Sequence, residues 1–131
     1  YRKLSYDPLK DLVGVTQVAA TQFVLTGSPK FEANTVQEVV ALARAKPGVL
    51  SYGSIGTGTP QHFAGELMKT TFRIDMAHIP YKGAAPAIID AMGGQVQINF
   101  STIVTAMPYA QSGRLQFLAV TSPQRAQVLL E

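Results

Sequence analysis

Short apolar runs alternate along this chain with segments of helical spacing, and only a few residues separate one from the next. Runs at 12–20, 23–26, 49–52, 74–79, 95–100 and 115–121 are rich in Val, Leu, Ile and Thr and predict strands. Between them, Thr35-Val36-Gln37-Glu38 is a capping box opening a helix that runs to about Lys46 and stops at Pro47-Gly48. Thr59 and Pro60 suit the N-cap and first position of a second helix, with Phe63, Ala64 and Leu67 as its apolar stripe. A third helix is predicted over 85–92, closed by Gly93-Gly94, and a fourth within 102–112, where Pro108 blurs the start. Ser122-Pro123 is expected to begin a last helix. Strand–helix alternation with short joints requires crossover units, hence an α/β fold with a mostly parallel central sheet and helices on both faces.

In such a sheet, ligands sit beyond the carboxyl ends of the strands. The joints that matter are then 53–59, 80–85 and 101–105, expected side by side. The first lies within "YGSIGTGTPQH", Tyr52 to His62, where Gly53, Gly56 and Gly58 alternate with the hydroxyls of Ser54, Thr57 and Thr59. It lacks the lysine of a phosphate loop, and its glycines are wrongly spaced for a dinucleotide turn. It fits a neutral cradle of amides and hydroxyls at a helix N-terminus, suited to a carboxylate, and equally a plain glycine turn before a capped helix. The second joint lies within "HIPYKGAAP", His78 to Pro86, and repeats the design: strand, glycine, then a helix start at Gly83, Ala84 and Ala85.

Two histidines invite chemistry. His62, in the first helical turn, sits where the dipole disfavours imidazolium. It suits either a water- or carboxylate-binding role or a back-bond to the Thr59 backbone. His78, in an apolar strand, reads as a core histidine. No carboxylate pairs with either at metal-ligand spacing, and there is no cysteine, so neither a metal nor another cofactor is expected. Asp75, Asp90 and Glu66 show no acid–base pairing. An enzyme using His62, Tyr81 and Lys82 would lack a base–orienter pair, and Lys82 has nothing apolar around it to depress its pKa. The chain reads as a binder, not an enzyme.

Composition narrows this further. With 131 residues, 47% of them hydrophobic, the chain can bury one real core, and a single domain over 1–131 is expected. The net charge of +3 comes from scattered Lys and Arg with no stripe beyond Arg2-Lys3, so nucleic acid is not an expected partner. No apolar run approaches the length of a membrane span. The chain starts at Tyr1 rather than Met and is expected to be a piece of a longer protein.

"YGSIGTGTPQHFAGELMK", "MAHIPYKGAAPAIIDAMGGQVQINF" and "GRLQFLAVTSPQR" together resemble the Bug family, periplasmic solute receptors of tripartite tricarboxylate transporters. The resemblance runs from "YDPLKDLVGVTQVA" to Arg125, with small departures at Gly14, where proline is frequent in the family, and at Pro60, where a small polar residue is. It implies the fold of a type II periplasmic-binding-protein lobe, here the second of two lobes, with the first absent. It implies a periplasmic location, a small organic acid as ligand (a di- or tricarboxylate, an aromatic acid or an amino acid) and membrane permease subunits as partners. The ligand-binding residues it implies are Ser54, Gly56, Thr57, Thr59 and His62 in the first loop, Gly83, Ala84 and Ala85 in the second, and Ser101 after the strand over 95–100. An effector-sensing domain of a regulator, which can share this fold, is the alternative.

Overall fold

The computed structural model describes residues 4–123. Within them the chain runs β1 (Phe23–Gly27), α1 (Val36–Ala45), β2 (Ser51–Ser54), α2 (Pro60–Phe72), β3 (Ala77–Pro80), α3 (Ala84–Gly93), β4 (Ile98–Thr102), α4 (Ile103–Gln111) and β5 (Gln116–Val120). One five-stranded sheet has the order β3-β2-β4-β1-β5. β2 pairs in parallel with β3 and β4, whereas β1 lies antiparallel to both β4 and β5. Four strands therefore share one direction, and only β1, wedged between β4 and β5, is reversed. The expected α/β architecture holds, with this reversed strand added to it.

Local chemistry explains the elements. The Thr35 hydroxyl accepts from the Glu38 N–H at 3.2 Å, and the Glu38 carboxylate accepts in return from Asn34 N–H at 2.6 Å, a capping box whose return bond lands one residue early. Thr59 caps α2 through His62 N–H, with Pro60 at the first position, where its missing donor costs nothing. α2 ends on Arg73 in the left-handed region at φ 52°. α4 keeps Pro108 inside, which leaves the Val104 carbonyl without its usual helical donor.

The sheet separates two apolar clusters. On one face Leu25, Tyr52, Ile98 and Phe100 pack with Val39, Val40 and Met68 from α1 and α2. On the other, Ile88 and Ala91 of α3 pack with Val96 and Leu115, and Tyr109 of α4 leans on them. Tyr52 anchors the first cluster. Fully buried, it lies beneath α2 where Gly65 leaves room: a Cβ there would sit 2.2 Å from the Tyr52 ring.

Residues 12–20 do not form the expected strand. They are exposed throughout, Val13, Val15 and Val18 by about nine-tenths, and pair with no strand among the described residues. β-branched composition makes a strand only where a neighbour completes the ladder. The strand expected over 49–52 is displaced to Ser51–Ser54, and that over 74–79 begins at Ala77. The helix expected after Ser122-Pro123 lies outside the described residues.

Replacing Gly65 by alanine sets a gain of about 1 kcal/mol in helix propensity against overpacking that typically costs about 1–3 kcal/mol. The 2.2 Å approach to a ring that cannot swing aside makes the second term larger. Gly65→Ala is expected to lower the denaturation midpoint, measured by circular dichroism in urea.

Candidate functional site

The register of β2 against β3 builds the site. Ser54 stands opposite Pro80, so both strands end together and their following loops leave from one rim. The two loops touch: Tyr81 N–H donates to the Ser54 carbonyl at 2.9 Å, and the Gly56 Cα faces the Tyr81 carbonyl. β4 is parallel to β2 with Asn99 opposite Gly53, so Ser101 emerges at the same rim.

The first loop is held largely by its own groups. The Ser54 hydroxyl, fully buried, accepts from Gly56 N–H at 3.1 Å and lies 3.1 Å from the Gly56 carbonyl and 2.7 Å from His78 Nε2. The Thr59 hydroxyl donates to the Gly56 carbonyl at 2.7 Å while capping α2. Gly58 N–H donates to His62 Nδ1 at 3.1 Å. Gly56 and Gly58 have φ of 135° and 82°, a region costly for other residues, so the tight turn depends on them. The amides of Gly56 and Gly58 are thus engaged within the loop. Thr57, at its exposed tip, has a hydroxyl without a partner among the described residues.

The second loop is the reverse case. Gly83 caps α3 with no side-chain hydrogen bond, and Pro86 in the first turn has no N–H. The Ala84 and Ala85 amides are left as orphan donors at a positive helix end. Tyr81 beside them is fixed by its hydroxyl donating to Asp90 at 2.7 Å, and burial, then that carboxylate, pushes its pKa up to about 12. Lys82 is exposed.

Strand alternation divides the candidates. Tyr52 and Ser54 face α2, whereas Gly53, Asn99 and Ser101 face α3. Ser101 is buried and its hydroxyl accepts from Asn99 Nδ2 at 2.7 Å. The other amide atom of Asn99, 1% exposed, has no partner and lies against Gly53, where a Cβ would meet it at 2.9 Å. Beyond β4, Thr102, Ile103, Val104, Met107 and Thr21 border an apolar hollow of about 560 Å³.

The His62 ring does bond back to the backbone before α2, but to the Gly58 N–H rather than to Thr59. His78 is not a core residue. It is half-buried, stacked on Tyr52 at 4.9 Å and 4.3 Å from the His62 ring. Burial foremost, then the neighbouring His62, holds the His78 pKa below the usual imidazole range. Tyr52 donates to Glu66 at 2.7 Å, and Lys69 lies 3.1 Å from the same oxygen. The Tyr52 bond, ahead of the Lys69 interactions, holds the Glu66 pKa below its ordinary value, and burial raises that of Tyr52. The sequence reading missed this network; its signal was Tyr52 and His78 at matching positions of neighbouring strands. Among the described residues no group of three or more His, Asp or Glu side chains is placed to hold a metal, and no helix is long and apolar enough to cross a membrane.

The fold is that of periplasmic binding proteins. A solved periplasmic transporter protein superposes with TM-score 0.81 at 38% identity, covering 98% of this chain and 43% of that one. R. palustris Rpa4515, solved with adipate, superposes with TM-score 0.81 at 30% identity over 95% of this chain and 42% of its own. Protein BugT of Bordetella pertussis is 30% identical over 123 residues, 94% of this chain and 38% of that protein. The tripartite tricarboxylate transporter family receptor profile matches residues 1–130, and the chain belongs to that family. It spans little more than a third of the length of the curated relatives it matches.

Tyr52→Phe is expected to raise the Glu66 pKa, read by carbon-detected NMR, and to lower stability by about 1 kcal/mol. This is below the usual value for a charged hydrogen bond because Glu66 is 42% exposed. A carboxyl held low in the folded state contributes stability above its unfolded pKa and loses it as pH falls through the folded pKa. The two proteins should therefore converge in acid.

Proposed function

We propose that this chain is the second lobe of a two-lobed periplasmic receptor that captures a small carboxylate-bearing solute and delivers it to a membrane permease. One observation carries the reading: two strand-to-helix turns side by side at the carboxyl rim of the sheet, one of them presenting an uncapped helix start. Family membership and the adipate in the structure of Rpa4515 support it.

The candidate residues then divide by task. Gly83, Ala84 and Ala85, with the Thr57 hydroxyl, offer donors to the carboxylate. Ser54, Gly56, Thr59 and His62 hold the first loop so that Thr57 stands beside them, and Ser101 with Asn99 forms the polar floor behind Gly53. Each exposed helix end favours an anion by about 0.3–1 kcal/mol, so a cradle of neutral donors binds without a formal ion pair. The other lobe would complete the cage, and ligand would stabilise the closed form because only there do both lobes touch it.

Calorimetric titration of the full-length protein with di- and tricarboxylates, aromatic acids and amino acids tests this. Binding of an uncharged solute, with every carboxylate failing, would sink it. Ala84→Pro is a sharper probe. The first helical position accepts proline, Gly83 before it is already extended, and only the N–H is lost. Carboxylate affinity is expected to fall about tenfold, one buried hydrogen bond's worth, with the denaturation midpoint unchanged.

A further inference from the structure

We propose that His62 is a positioning residue that latches the 54–59 loop only while its imidazole is neutral, so that carboxylate capture weakens as His62 gains a proton. The ligand half of this statement rests on the receptor reading above; the latch itself does not.

Gly58 N–H donates to His62 Nδ1 at 3.1 Å, so Nδ1 must carry a lone pair and the neutral ring holds its proton on Nε2. An imidazolium has a proton on both nitrogens. Protonated at Nδ1, His62 would turn an N–H toward the Gly58 N–H, and the bond would become a clash of two donors. His78 differs. Its partner, the Ser54 hydroxyl, can donate to Nε2, or accept from it while donating to the Gly56 carbonyl. Ser54 thus tolerates either state of His78, and the strict requirement falls on His62.

The latch reaches the rest of the loop through short links. Gly58 lies between Gly56, whose carbonyl takes the Thr59 hydroxyl, and Thr59, which caps α2. With φ of 82°, Gly58 sits in a conformation that glycine leaves readily once its amide is freed. Thr57, the exposed tip, sits between the two.

Several charged or titratable groups face the pair. From α2 these are Glu66, one turn beyond His62, and Lys69 beside it; from β2, Tyr52, on which the His78 ring stacks; from β3, His78 itself, 4.3 Å from His62. Glu66 favours a cation here and Lys69 opposes one, the two in contact with each other. A second imidazolium against the first is opposed by like charge.

The test uses the ligand-free full-length receptor labelled with 15N at glycine and histidine. The proposal expects neutral His62 with its proton on Nε2, and a Gly58 amide resonance that moves with the same midpoint as the His62 ring. His62→Asn, which retains an acceptor at the Nδ1 position, should keep the Gly58 amide protected from exchange at every pH; His62→Leu should lose that protection at every pH. In calorimetry with adipate or malate, wild type should bind about tenfold more weakly with His62 protonated than with it neutral, beyond any change shown by His62→Asn. A neutral ring with its proton on Nδ1, a Gly58 amide indifferent to the titration, or His62→Asn sharing the full pH dependence of wild type would overturn the latch. Failure of every carboxylate to bind would sink the receptor reading and leave the amide titration to decide the latch alone.

Discussion

Everything at the rim depends on the parallel pairing of β2 with β3 in one register. Ser54 against Pro80 ends both strands at one level, and the Tyr81 N–H on the Ser54 carbonyl carries the ladder one rung into the loops. A slip by one residue would turn Tyr52 and His78 to opposite faces and break their stack. Tyr52 resists that slip from beneath, filling the space that Gly65 leaves under α2 and tied by its hydroxyl to Glu66. The site thus inherits its geometry from a buried aromatic two residues before its first loop.

The two loops solve the same problem in opposite ways. In the first, hydroxyls and an imidazole consume the glycine amides, giving a rigid turn with few spare donors. In the second, no side chain among the described residues bonds to the start of α3, and the donors remain open. A shaped wall beside an open helix end is a sounder way to hold an anion than two open ends, since each unsatisfied amide carries a desolvation cost when the site is shut.

Much of this was legible in the residues. Thr59-Pro60 marked the start of α2 and Gly93-Gly94 the end of α3, because caps act locally. The alternation of elements fixed the class of fold and put the three loops at one rim. What stayed hidden depends on partners far along the chain. Gly53 reads as loop, yet it is a strand residue, kept small by Asn99 and Tyr81. Residues 12–20 read as strand, yet no described neighbour pairs with them. The reversal of β1 leaves no mark in its own five residues, which would suit either direction. At the site, nothing local tells that His62 accepts from Gly58 or that His78 meets Ser54 across 24 positions.

The reversed β1 has a mechanical corollary. Because it runs against β5, its first residue and the end of β5 meet at the same rim as the loops. Thr121 N–H donates to the Phe23 carbonyl at 2.9 Å, and Phe23 N–H to the Thr121 hydroxyl at 3.0 Å. The polypeptide thus enters and leaves the sheet through two strands stitched together at one edge. The segments before Phe23 and after Thr121 are therefore anchored at neighbouring points of that rim, and a pull on either one loads the same two bonds first.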